Sequence, residues 1–155
     1  MTSGFDVTEW ASRLAWKAIP VESPDVIGIG DFEIAYFVSA HHGIVTVDRS
    51  SRGARRTLAS FRTTDDAIKF LTMTLGAAWR SSSGLPSLTQ GELSIHATLD
   101  EGPTAVHLEW TGGSADFANG YTGRRNAREF SHIVHANTAD IAVSFESIDG
   151  APLFA

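Results

Sequence analysis

The amino-acid sequence predicts a single α+β domain over residues 1–155, with a mostly antiparallel sheet (a meander plus a hairpin) packed with about three to four helices. Three observations predict it. From residue 32 to residue 61, apolar and polar residues alternate in runs broken by short turn signals, the period of a half-buried strand. From Thr63 onward the apolar spacing changes to three and four, the period of a helix. A second pair of strand-like segments, 92–99 and 104–110, then flanks the turn Asp100-Glu101-Gly102-Pro103.

Taken in order, Asp6 with Glu9 reads as an N-cap and its acidic partner. Val7, Ala11, Leu14, Ala15 and Ala18 follow at helical spacing, so a first helix is expected to about Lys17, stopped by a loop at Pro20 and Pro24. Phe32, Ile34, Tyr36 and Val38 alternate along a strand, and His41-His42-Gly43 turns it. Ile44 to Arg49 returns with Val45 and Val47 on the face of Tyr36 and Val38. Ser50 to Gly53 signals another turn, and Arg56 to Phe61 a third strand. Thr63 or Thr64 caps a second helix whose first turn carries Asp65 and Asp66, the charge the helix N-terminus favours. Its stripe is Ile68, Leu71, Leu75, Ala78 and Trp79, and Gly84 and Pro86 end it.

For the second hairpin, four unpaired turn residues set Leu93 opposite Trp110, Ile95 opposite Leu108 and Ala97 opposite Val106, an apolar face. The wetter face then pairs Ser94 with Glu109 and His96 with His107. Residues 111–123 read as a loop that packs down through Phe117 and Tyr121. Asn126 with Glu129 caps a third helix to His135, with Phe130, Ile133 and Val134 inward. Ile141, Phe145 and Ile148 fit a helix, whereas Ala139, Ile141, Val143 and Phe145 fit a strand. The helix is preferred, begun by Thr138 and ended near Asp149-Gly150, with Pro152 to Phe154 extended.

Composition narrows the function classes. With 43% hydrophobic and 19% charged residues the chain can bury a core and is not of disordered type. A net charge of −6 repels phosphate backbones and anionic lipid, so no nucleic-acid or membrane partner is expected and a basic partner is favoured. Without cysteine there is no disulfide framework and no thiolate metal site. The first residues lack the features of a secretory signal, and no apolar run approaches the roughly eighteen residues of a membrane span, so a cytoplasmic protein is expected.

Catalytic signatures are missing. No nucleophile elbow, P-loop or dinucleotide fingerprint occurs, and Gly112-Gly113 with Gly120 and Gly123 has the wrong spacing for one. His96 and His107, with Glu109, could supply metal ligands, and His132 and His135 share a helix face. Neither set completes a known ligand pattern, so the expectation is exposed polar faces, no metal, no cofactor and no enzymatic activity. Arg49, Arg52, Arg55, Arg56 and Arg62 fall in a window of residues 49–62 that has no acidic residue, a local +5 in a chain of −6. Arginine forks suit phosphate or carboxylate, so Arg49, Arg52, Arg55 and Arg56 form an alternative anion- or nucleotide-binding module. The preferred reading is a charged edge strand that discourages sheet-to-sheet aggregation.

Three stretches together, TVDRSSRG (46–53), WRSSSGLPSL (79–88) and IDGAPLF (148–154), resemble in order and spacing the immunity protein 61 family, a group that includes the immunity factor of the tuberculosis necrotizing toxin. The resemblance covers residues 32–154. It implies an antitoxin that binds a cognate secreted toxin domain in the cytoplasm and blocks it, the characterised toxin being one that hydrolyses NAD. Such a protein needs a stable scaffold and a complementary surface rather than catalytic residues. Gly84, Pro86, Gly150 and Pro152 are read as structural. The expected contact surface is the loop with Asp116, Asn119 and Tyr121 and the wetter hairpin face with His96, His107 and Glu109.

Overall fold

A computed structural model describes residues 5–31, 33–88 and 91–154. Phe32, the expected start of the meander, lies outside them. Among the described residues, four helices and an eight-stranded antiparallel sheet make an α+β fold, with spatial strand order β1-β2-β3-β4-β5-β8-β7-β6.

Asp6 caps α1 (Val7–Arg13), its carboxylate accepting from the amides of Thr8 and Glu9. This helix stops four residues short of Lys17. Ala15 takes a left-handed φ of 71°, which reverses the chain, and Trp16 packs edge-on against Tyr36. Lys17–Ala18, expected at the end of that helix, pairs instead as β1 with β2 (Asp25–Gly30), which lies where a loop was expected. Two glycines hide the alternation of β2 in the sequence. Gly28 is needed where it stands, because a Cβ there would lie 2.7 Å from Val21 Cγ1.

The meander of β3 (Ile34–His41), β4 (Ile44–Ser51) and β5 (Ala54–Phe61) forms as expected, with Val38 opposite Val47. His42-Gly43 and Arg52-Gly53 make its two turns, all four residues at positive φ, the geometry whose twist matches paired strands. Thr63 Oγ1 caps α2 (Thr64–Ser82) by accepting from the Asp66 amide, and Gly84 leaves the helix at φ 74°.

The second hairpin is shifted four residues from the expected register. Asp100 and Glu101 belong to β6 (Ala97–Glu101) and only Pro103-Thr104 turns, the Gly102 amide donating to the Ala105 carbonyl at 2.9 Å. Against β7 (Ala105–Trp110), Ala97 therefore pairs with Trp110 and Asp100 with His107. Leu93, Ile95 and His96 precede the strand, so His96 does not face His107. The expected loop after Trp110 contains β8 (Gly113–Ala118), joined to β7 by Thr111-Gly112 and closing the sheet against β5.

Helix α3 (Tyr121–Ser131) starts five residues before Asn126 and ends before His135, with His132 to His135 in turns. Phe130, Ile133 and Val134 are buried as expected, whereas Tyr121 is exposed. The C-terminal segment is helical, α4 (Thr138–Glu146), capped by Asn137 rather than by Thr138. It ends short of Asp149, and residues 151–153 turn instead of extending, placing Phe154 on Phe145.

The core lies between the helices and one sheet face. Phe61, Phe70, Phe117 and Phe130 contact one another with ring centroids 5.3–6.0 Å apart, packing worth about 0.5–1.5 kcal/mol per pair beyond area burial. Arg80, 1% exposed, fastens the C-terminal edge. Its guanidinium donates to the carbonyls of Pro86, Phe145, Ser147 and Ile148, so the stretches 79–88 and 148–154 meet at one side chain. Two of those acceptors, Phe145 and Ser147, lie at the C-terminal end of α4, where the helix dipole favours a cation.

Candidate partner-binding surface

Because side chains alternate across a strand, burying Val106, Leu108 and Trp110 of β7 beneath α3 turns His107 and Glu109 to the opposite, helix-free face. The same parity in β8 buries Ala115 and Phe117 and turns out Ser114 and Asp116. Register then aligns one row across seven strands: Asp25, Ser39, Thr46, Ser60, Asp116, His107 and Asp100. Every member is polar.

The two ends of this row differ. At the β2 end, Arg55 reaches over it, its Nη2 2.6 Å from Asp25 Oδ1, its Nε 2.8 Å from Asp48 Oδ2, and its guanidinium carbon 4.3 Å from the Phe37 ring centre. Arg55 therefore holds the Asp25 carboxyl below the usual carboxylate range, aided by the Ser39 hydroxyl. At the other end the row is open. His107 Nδ1 lies 2.7 Å from Asp116 Oδ1 and its Nε2 2.9 Å from Glu109 Oε1. These two carboxylates, Asp116 foremost, raise the His107 imidazole above its ordinary value, against a smaller opposing effect of burial. Asp100 and Asp116, both exposed, flank it on the neighbouring strands.

The expected contact residues are thus only partly gathered. His107, Glu109 and Asp116 form one cluster. Asn119 and Tyr121 stand beyond the end of β8, Asn119 Nδ2 donating to the Pro103 carbonyl at 3.0 Å, beside a cavity of about 150 Å³ lined by Arg56, Leu58 and Thr122 among others. His96 sits at a turn ahead of β6. Among the described residues, no three histidine, aspartate or glutamate side chains are arranged as metal ligands.

The arginines are divided between surfaces. Arg49 and Arg56 are cross-strand neighbours, Arg52 occupies a hairpin tip, and Arg55 points to the other face into its two carboxylates. In the strand order β5 is an inner strand, but it pairs with β8 only through Ala59, Ser60 and Phe61, so none of those pairs involves Arg55 or Arg56. Of the residues that sequence reasoning passed over, Thr46 and Ser60 lie on predicted strands, Asp25 becomes visible once β2 is recognised as a strand, and Asp100 once the β6–β7 register is known.

Comparison with known proteins agrees with this architecture. The fold matches that of Rv3902c from M. tuberculosis with a TM-score of 0.77 at 19% identity, covering 100% of this chain and 94% of that one. No curated protein matches in sequence. The family model described as immunity protein 61 matches residues 10–153, nearly the whole length, and the chain belongs to the immunity protein 61 family.

Proposed function

We propose that this protein is an immunity protein of a polymorphic toxin system, which binds a cognate secreted toxin domain in the cytoplasm and occludes its active site. The observation that carries this reading is the family match over residues 10–153. The open row of His107, Asp116 and Asp100, with Glu109 beside it, supports it. A rigid antiparallel sheet presents these polar groups, and several carboxylates in a chain of net charge −6 suit a basic partner. An NAD-hydrolysing toxin is the target implied by the family resemblance. In this reading the chain works as a binding surface, not as an enzyme, and takes no cofactor.

The test is co-expression with a candidate toxin domain, sought first in the neighbourhood of its gene. Cells should survive and keep their NAD, and the purified proteins should form a stoichiometric complex that lacks NAD hydrolysis. Charge reversal of Glu109 and Asp116 to lysine should weaken the complex at least about tenfold, as loss of complementary charge at an interface does. Undiminished toxicity in the presence of folded protein would refute the reading.

A further inference from the structure

Ile95 is the most exposed large apolar residue among the described ones, at 92%. It stands at the tip of a turn over Ser94 to Ala97, closed by the Ala97 amide donating to the Ser94 carbonyl at 3.1 Å, with His96 exposed beside it. The turn is braced on both sides. Its base is held by the Ser94 amide donating to Ser131 Oγ at 3.0 Å, and the His96 amide donates to Ser94 Oγ at 3.3 Å. One residue earlier Leu93 packs against the core, and the Glu92 carbonyl lies 2.6 Å from His132 Nε2. An isolated exposed apolar side chain is ordinary. One held out on a turn whose flanking groups are fastened to the domain has its ordering cost met before binding, the property that makes a recognition anchor effective.

Its position connects it with the surface already described. Ala97 pairs with Trp110 and Thr98 with Glu109, so the tip immediately precedes β6, three residues from the Thr98–Glu109 pair on the open polar face, with Asp100 and Asp116 further along that face. We infer that the Ile95-His96 turn is a preformed plug, which enters an apolar slot in the cognate toxin while the neighbouring carboxylates meet basic residues at the rim of that slot. This rests on the immunity reading and adds to it the contact residue and the chemistry of the cleft: an apolar floor wide enough for a branched aliphatic side chain, with a cationic rim. A side chain buried at the centre of an interface and ringed by polar contacts is where binding energy concentrates.

The experiment uses the full chain and the toxin domain that the co-expression test identifies as its target. Ile95→Ala and Ile95→Asp should weaken binding at least about thirtyfold, the size of an interface hot spot, with the circular dichroism spectrum and melting temperature unchanged because the side chain touches little of its own domain. Ile148→Ala, at an exposed isoleucine beyond α4, should stay within about twofold. Because the chain has no cysteine, Ile95→Cys gives a single thiol, expected to react with a maleimide in the free protein and to be protected in the complex. If the wild-type protein binds the toxin but the Ile95 variants bind equally well, or the thiol of Ile95→Cys labels at the same rate in the complex, the plug is wrong and the immunity reading stands. Equal losses at Ile95 and Ile148 also overturn the plug. If the wild-type protein does not bind, both fall.

Discussion

His107 shares hydrogen bonds with carboxylates on two strands, its own β7 through Glu109 and the adjacent β8 through Asp116, with Asp100 opposite on β6. Its raised affinity for a proton makes a sign-definite prediction. A histidine bound more tightly to its proton when folded contributes stability in full below the ordinary imidazole value near 6.5, and that contribution fades as the pH rises through the raised value. Replacing Asp116 by Asn removes the larger cause. The His107 titration followed by NMR should therefore move down toward the ordinary value in Asp116→Asn. The stability lost in that variant should be greater near about pH 5.5 than near about pH 8.5. An unchanged titration would show that the two side chains do not interact in solution.

At the scale of elements, helix α2 meets α4 so closely that Gly76 is fixed by space rather than by propensity. A Cβ there would lie 2.6 Å from Phe145 Cβ and 2.7 Å from its Cγ, well inside contact distance. Gly76→Ala gains about 1 kcal/mol of helix propensity, yet overpacking of this kind costs about 1–3 kcal/mol, with the bulky, buried Phe145 unable to move aside freely. Urea unfolding should show a net loss of up to about 2 kcal/mol, and a gain would mean that α4 can shift. The same scale explains what the sequence can disclose. The meander and α2 are legible because β-branched and aromatic residues alternate cleanly and Thr63 caps where the period changes. In β2 (DVIGIG) and β8 (GSADFA), glycine and alanine stand at positions where large residues would have marked the period, so packing alone defines these strands. The hairpin register is misread from sequence because Asp100 and Glu101 look like turn residues, although the sheet uses them as strand. A slip of four residues, unlike a slip of one, preserves side-chain parity. For that reason the sequence places His107 and Glu109 on the correct face while pairing His96 with the wrong partner.

Considered as a whole, the molecule separates its charges. Arg55 is neutralised by Asp25 and Asp48 at one end of the polar row, whereas at the other end Asp100, Glu109 and Asp116 surround His107, with Arg62 beside them on Ser114, the cross-strand partner of Glu109. Three carboxylates, Asp100, Glu109 and Asp116, thus stand together where partner contact is proposed, in a chain of net charge −6. Exposed charges act beyond contact only within a Debye length, about 30 Å in roughly 10 mM salt and about 3 Å near 1 M, so this field should act on encounter more than on the docked complex. In stopped-flow mixing with the toxin domain, the association rate should fall at least about tenfold between about 20 mM and about 500 mM salt, with a smaller change in dissociation. Glu109→Lys with Asp116→Lys should flatten that salt dependence. Ile95→Ala should leave it intact and act on dissociation instead, because an uncharged side chain contributes only after contact is made. A salt-independent association rate in the wild-type protein would place the partner's contact elsewhere than on this carboxylate-rich face.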